Sequence, residues 1–341
     1  MTKWTIRDIA KMAGVSPGTV SKVINQTGSL SPKTIEKVKK VIEETGYIPS
    51  FSAKALATKK SNLIGLIYAG EVHVEFAHPF FNLVINSFKN TIGQLGYDLL
   101  ILSNPSFNNG IEDYVARCKH YQLDGCLIIT GEKVEGAIFD LDQSDIPTVG
   151  VDLKLTGKSS SYITTNNEKI SNLVVRYFHE LGLKKIAFIG GQKDSLITAS
   201  RKQAFLQAMD EWKMESNPEW IQFGDYFEDS GYQQMLHILN AEALPEAVFA
   251  ISDMMALGAI KAIKEKGLRV PEDIKVIGCD DIDACRYSEP ALATVKQDQL
   301  EIGERAAKIL HDLINGQKVA PYYLVDPEIV IRESAEESVS K

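Results

Sequence analysis

Thr5-Ile6-Arg7-Asp8-Ile9-Ala10-Lys11-Met12-Ala13-Gly14-Val15-Ser16-Pro17-Gly18-Thr19-Val20-Ser21-Lys22-Val23-Ile24-Asn25 is the stretch that decides the reading of this chain. Thr5 followed by Asp8 makes an N-cap with an acid in the first helical turn. Ile6, Ile9, Ala10 and Ala13 repeat at helical spacing, and Gly14 ends the run. One residue later Ser16-Pro17 opens a second helix, with Ser as cap and Pro at the first helical position. Val20, Val23 and Ile24 share its apolar face, and Asn25 closes it. A third helix opens at Ser31-Pro32, turns Ile35, Val38, Val41 and Ile42 inward, and stops at Gly46. Two short helices joined through Ala-Gly-Val and braced by a third predict a helix-turn-helix, whose second helix enters the major groove of DNA.

Charge agrees with that expectation. Residues 1–60 hold eleven Lys and Arg against four Asp and Glu, a net of +7; the whole chain is −8, so the remainder carries −15. A small basic module on a large acidic one fits a nucleic-acid reader joined to a second function. A solvated charged face is the alternative. At 341 residues the chain has room for two or three cores. Its cysteines (Cys118, Cys126, Cys279, Cys285) lack metal-ligand spacing, and its six histidines form no paired-ligand motif, so neither a metal nor a cofactor is expected. The N-terminal residues Met1 to Asp8 contain no apolar signal segment, and no apolar run approaches the roughly 18 residues that span a bilayer. A cytoplasmic location without membrane association is the expectation.

Beyond Ser61 short apolar runs alternate with helical patterns. Leu63–Tyr68, Asp98–Leu102 and Gly125–Ile129 form one set of strands; Lys185–Ile189, Ala247–Ile251 and Ile274–Gly278 form another. Strands apolar on both faces and separated by helices predict parallel sheets covered on both sides. Two sets with a break near 162–166 predict two Rossmann-like lobes, with ligand at the carboxyl ends of the strands.

The segments Ile6–Ser16 and Thr19–Asn25, continued by Gly46-Tyr47-Ile48-Pro49, resemble the headpiece of the lactose-repressor (LacI/GalR) family of bacterial transcriptional regulators. Later motifs extend the resemblance over nearly the whole chain: His78-Pro79-Phe80-Phe81, Ser200–Phe205, Ser252–Ala259, Gly267–Ile274 and Gly278–Ile282. The fold it implies is an all-α helix-turn-helix headpiece (1–48), a hinge helix or linker (49–60) and an α/β core (61–341) like that of periplasmic sugar-binding proteins. The chain would cross back between lobes near 292–298 and 325. The implied function is control of transcription, as a repressor of carbohydrate-utilisation genes. The protein would be a homodimer on a near-palindromic double-stranded operator, with a sugar-like effector between the lobes. Dimer contacts would come from the first lobe, around Phe80–Leu95 and the strand after it. A purine-type corepressor is the alternative for the same fold.

In that family the start of the second helix reads bases. Here those positions are Pro17, Gly18 and Lys22, and neither Pro17 nor Gly18 has a side chain able to hydrogen-bond a base edge. Lys22 is left to read guanine O6/N7 or to hold a phosphate. Thr5, Ser16, Thr19, Ser21 and Asn25 sit where phosphate contacts are expected, Thr5 and Ser16 being equally explicable as caps. The resemblance makes Ser50–Lys60 a hinge helix that orders on DNA, with Leu56 wedged into the minor groove and Lys54 on phosphate; a disordered tether is the alternative. Effector contacts would fall on Arg201 and Asp280 for hydroxyl groups, with Asn166 or Asp253 joining them unless Asp253 is a helix cap. Phe80 or Phe81 and Tyr226 would supply aromatic faces. Asn166-Asn167 departs from the Asp-Asn often found there. An enzyme, such as a regulatory sugar kinase, is disfavoured because Gly190-Gly191-Gln192-Lys193-Asp194-Ser195 lacks Walker spacing and no GxSxG elbow occurs. A binding protein without DNA function is disfavoured by the headpiece.

Overall fold

The computed structural model describes residues 4–25, 27–48, 60–69, 78–103, 107–130 and 136–336. The chain separates into two compact units, Met1–Asn62 and Leu63–Lys341. Residues 49–59, which include Lys54 and Leu56, lie outside the described residues, so the hinge expectation is not addressed by the fold.

The first unit contains the helices Ile6–Ala13, Pro17–Ile24 and Pro32–Thr45. Thr5 and Asp8 form a reciprocal capping box, Asp8 N donating to Thr5 Oγ1 (3.3 Å) and Thr5 N to Asp8 Oδ2 (2.9 Å). Gly14 ends that helix in the left-handed region at φ 59°, which a side chain would resist. Ser16 and Ser31 cap the next two helices, each ahead of a proline. Ile9, Ala10, Ala13, Val20, Val23, Val38, Val41 and Tyr47 close a common core. Ile35 and Ile42, expected inside, are only partly buried and rim that core.

The second unit is built on two six-stranded sheets. The first contains β1 (Leu63–Ala69), β2 (Asp98–Ile101), β3 (Gly125–Thr130), β4 (Thr148–Val151) and β5 (Ser160–Thr165). The second contains β6 (Ile186–Gly190), β7 (Ile221–Phe223), β8 (Ala247–Ala250), β9 (Lys275–Asp280) and β10 (Ala293–Lys296). After them β11 (Tyr322–Val325) returns to the first sheet and β12 (Glu328–Val330) to the second. Orders β11-β5-β4-β3-β1-β2 and β12-β10-β9-β8-β6-β7 are the same doubly wound pattern twice, parallel except for the β10–β12 pair. In each sheet the strand order reverses beside the first strand, β1 or β6, and opens a crevice at the strand carboxyl ends.

The chain changes lobe three times. It leaves the first sheet after Thr165 for the helix Asn167–Glu180, which packs in the second core through Ile170, Val174, Val175 and Phe178. It returns after β10, where the helix Gln299–Ile314 joins the first core through Ile302, Ala306, Ala307 and Leu310. That helix lies against the helix Pro79–Gln94 so closely that a Cβ on Gly303 would sit 2.3 Å from the carbonyl oxygen of Val84. The third change lies between β11 and β12. No helix among the described residues is long and apolar enough to cross a membrane.

Candidate effector site between the lobes and candidate DNA-reading helix

Strand ends from both lobes converge on one cavity of about 590 Å³, mouth included. From the first lobe come His78, Phe80, Phe81 and Asp152; from the second, Ile197, Arg201, Asp225, Tyr226, Phe227, Ile251, Ser252, Asp280 and Gln297.

Arg201 is the hub. Only 3% exposed, it donates from Nε to Asn167 Oδ1 (2.8 Å), from Nη1 to the Ile251 carbonyl (2.8 Å) and from Nη2 to Gln297 Oε1 (3.2 Å). Burial works against its charge, but Cys279, Asp280, Asp152 and Tyr226 outweigh it and hold the pKa above the ordinary arginine value. Asp280, at the end of β9, has φ 134°, a costly backbone for a residue with a side chain. Its Oδ1 accepts from Gln297 Nε2 (2.7 Å), and its carbonyl accepts from Gln299 Nε2. Gln297 thus stands between the guanidinium and the carboxyl group. Oδ2 of Asp280 is buried without a partner. Burial, then Asp253, push the Asp280 pKa well above the carboxylate range, against Arg201 and Gln297.

Tyr226 lines the same cavity at φ 74°. Its hydroxyl is 3.0 Å from both Ser195 Oγ and Thr198 Oγ1, and its carbonyl accepts from Ser252 Oγ (2.7 Å). A Cβ on Gly191 would lie 2.2 Å from the ring, so the glycine of that strand-end turn is what admits the tyrosine. Phe80 belongs to the first-lobe core, while Phe81 is half-buried.

Two expected residues sit elsewhere. Asp253 does not line the cavity and is not the cap, since Ser252 caps the helix Asp253–Glu265. Fully buried, its carboxylate accepts from Thr294 Oγ1 (2.6 Å), Ile282 N (3.0 Å) and Cys285 Sγ (3.0 Å). It ties down the turn that presents Asp280, and Gly278 leaves room for it, since a Cβ there would lie 2.2 Å from Asp253 Oδ1. Asn166 caps the helix Asn167–Glu180 by accepting from Lys169 N, and its neighbour Asn167 is the one that meets Arg201. Asp152, Gln297 and His78 were not singled out as contacts. Asp152 and Gln297 each follow directly on a strand, β4 and β10, that the apolar pattern left unread, and a polar residue just past such a run is the available signal.

His78 is 7% exposed and neither ring nitrogen has a partner. Burial lowers its pKa to about 4, while the Tyr226 main chain faces the ring and opposes the shift without closing a hydrogen bond. Because the folded value lies below the unfolded value near 6.5, the unfolded chain takes the proton first, so His78 costs stability as pH falls from about 6.5 to 4. Asp253, raised by burial to about 6, acts oppositely in the same window: the folded state binds its proton first. Comparing the wild type with His78→Phe isolates the histidine. Urea unfolding should show the variant gaining about 2–3 kcal/mol relative to wild type between pH 7 and pH 4; a constant difference contradicts the assignment.

On the first unit, Pro17, Gly18 and Lys22 are exposed on the second helix, Gly18 and Lys22 one turn apart on the same face. The Lys22 stem passes Gly28, whose Cβ would lie 3.5 Å from Lys22 Cδ. The hydroxyl of Thr5 bonds Asp8 (2.6 Å), those of Ser16 and Thr19 bond each other (2.9 Å), and Asn25 Nδ2 donates to Ser21 Oγ (3.3 Å). These groups therefore have structural partners in the chain alone.

Residues 5–50 match the bacterial regulatory proteins of the lacI family, and residues 175–335 match a periplasmic binding protein-like domain. The chain is 34% identical over 332 residues to the HTH-type transcriptional repressor PurR of Pasteurella multocida (strain Pm70), covering 97% of this chain and 98% of that one. The chain belongs to the LacI family. It is likewise 35% identical over 335 residues to the PurR repressor of Haemophilus influenzae (strain PittEE), with the same coverage. Among solved structures it resembles the lac repressor dimer bound to operator and the anti-inducer ONPF (TM-score 0.83, 28% identity, 98% of this chain and 99% of that one). It also resembles a complex of the transcriptional regulator CelR with cellobiose (TM-score 0.72, 28% identity, 97% and 100%). This LacI-family chain is a DNA-binding transcriptional repressor. Repressors of the family bind operator DNA, take a small-molecule effector and dimerise.

Proposed function

We propose that this repressor is controlled by an uncharged, polyhydroxylated ligand, a sugar or sugar derivative, held between its two lobes. The observation that carries the reading is the buried, unpartnered Oδ2 of Asp280 beside Arg201, whose Nη2 has a second hydrogen beyond the one given to Gln297. Side by side, these offer a polar group to each of two neighbouring hydroxyls. Phe81, Tyr226 and Phe227 supply apolar surface for C–H faces. Arg201, the only cation lining the cavity among the described residues, is already shared by Asn167, Ile251 and Gln297, and Asp152, Asp225 and Asp280 add none, so a phosphate or carboxylate ligand would lack a free counter-charge there. The CelR neighbour bound to cellobiose lends the same support from outside the chain. No catalytic role and a cytoplasmic location complete the reading.

A thermal-shift panel of D-glucose, D-ribose, cellobiose, glucose 6-phosphate, gluconate and hypoxanthine tests it. A neutral sugar at a hundred times its Kd adds about 2.7 kcal/mol of stability. A shift with the phosphate or the acid alone would overturn the charge argument. Hypoxanthine alone would favour a purine corepressor, the second reading, which the two PurR relatives support.

On the DNA side, the reading is a homodimer on a near-palindromic operator, with Lys22 at base edges and Leu56 as a minor-groove wedge between paired hinges. Ligand binding would turn the lobes and thereby govern whether the two hinges can pair. Leu56→Ala should weaken operator affinity several-fold in fluorescence anisotropy and leave effector binding intact; unaltered affinity would remove the wedge.

A further inference from the structure

The helix Pro17–Ile24 carries a single charged side chain, Lys22, and among the described residues no ion pair or hydrogen bond holds its ammonium group. Its surroundings leave it that way. One turn earlier on the same face stands Gly18, which offers no side chain to pack on. Past the helix the chain turns back: Thr27 N donates to the Lys22 carbonyl (3.0 Å), and Gly28 follows at φ 74°. That bond brings Gly28 alongside the lysine stem. A Cβ on Gly28 would lie 3.5 Å from Cδ, 3.7 Å from Cε and 3.9 Å from Nζ of Lys22, so the outer half of the stem runs past the glycine at contact distance. One methyl group fits there, but each atom beyond it competes with the ammonium group for space or has to turn away. The positive φ explains a glycine or an asparagine at this turn. It does not explain an open path beside Lys22, which an asparagine would narrow.

We propose that Gly28 is a positioning residue for base reading, its bare backbone forming the wall along which Lys22 extends into the major groove. This rests on the reading of Lys22 at base edges and deepens it. A lysine stem has many rotamers and loses most of that freedom when its tip is fixed on a base. Contact along Gly28 restricts the stem on one side before DNA arrives. Bulk at position 28 pushes the stem off that line and carries the ammonium group away from guanine O6 and N7. Gly28 itself needs to touch no base, and its effect on recognition exists only through Lys22.

The test is a double-mutant cycle on the full-length protein: wild type, Gly28→Asn, Lys22→Ala and the double variant. Each is titrated by fluorescence anisotropy against an operator selected from random DNA and against unrelated DNA. Asparagine keeps the turn, because it tolerates positive φ. Gly28→Asn should lose about five-fold or more on the operator and little on unrelated DNA, with an unchanged salt slope. In the Lys22→Ala background the same substitution should change operator affinity by less than about two-fold, since the side chain it displaces is gone. Gly28→Ala, whose methyl group fits beside the stem, should lose less than Gly28→Asn; an equal or larger loss would point to backbone strain and overturn the proposal. An equal loss from Gly28→Asn in both backgrounds would make Gly28 a turn residue only, with the same consequence. Wild-type operator affinity in Gly28→Asn, beside a loss in Lys22→Ala, would remove the positioning role alone. If Lys22→Ala leaves operator affinity unchanged, the Lys22 reading fails first and the proposal falls with it.

Discussion

Arg201→Ala should abolish the ligand response while leaving the headpiece free to bind DNA. The guanidinium is the only cation lining the cavity among the described residues, and it holds Asn167, Ile251 and Gln297 in place. Without it, buried acceptors lose their donor and the neighbouring carboxyl groups lose their counter-charge. Breaking such a buried set by removing one partner costs about 3–5 kcal/mol. The expected result is a core that unfolds at lower urea, shows no sugar-induced melting shift, and still binds operator below its unfolding range. Arg201→Lys separates the two effects: it retains the charge, recovers part of the stability, and recovers little ligand affinity because one ammonium cannot reach three acceptors in the guanidinium's fork geometry. A normal shift in either variant would take Arg201 out of ligand recognition.

Lys22→Ala should bring the largest loss on the DNA side. Pro17 and Gly18 present no hydrogen-bonding side chain, so the outward face of the second helix depends on this one cation. A bidentate contact to guanine contributes about 1–3 kcal/mol, which is roughly five-fold to more than a hundred-fold in affinity. The loss should be confined to operators carrying that guanine and should relax the preference at one position of each half-site. A uniform loss on operator and unrelated DNA, with the salt slope reduced by about one per headpiece, would instead make Lys22 a phosphate contact. Selection from random DNA followed by anisotropy distinguishes the two.

The headpiece was readable almost residue by residue because its signals are local. Thr5, Ser16 and Ser31 cap, Gly14 and Gly46 stop, and Pro17 and Pro32 open, each for a reason contained within four residues of chain. The doubly wound core was legible in kind, since β1, β3, β6, β8 and β9 are continuous apolar runs. Strands such as β5 (Ser-Ser-Tyr-Ile-Thr-Thr) and β11 carry too many polar residues to be seen that way, and the pairing that joins the two spans 150 residues or more of chain. The site divides along the same line. Arg201, Asp280, Phe80, Phe81 and Tyr226 do reach one cavity. Asp253 does not, because a buried carboxylate at a helix start can serve the backbone of a neighbouring loop as readily as a ligand, and only the positions of Ile282, Cys285 and Thr294 decide which. Asn166 and Asn167 differ by one residue, and the helix turn gives capping to the first and Arg201 to the second. Gln297 carries only the signal of a polar residue just past a strand, and its meaning arises where β10 ends beside β9.

On the proposed reading, a ligand in the interlobe cleft sets the repressor's hold on DNA through coupling between distinct sites. The most direct measurement is the operator dissociation constant of the full-length protein, by anisotropy at one fixed salt concentration, titrated with the sugar that raises its melting temperature. The expected change is about five- to 150-fold in one direction or the other, saturating with the ligand's own binding curve and absent in Arg201→Ala. A ligand that demonstrably binds the wild-type protein and leaves operator affinity unchanged would contradict it.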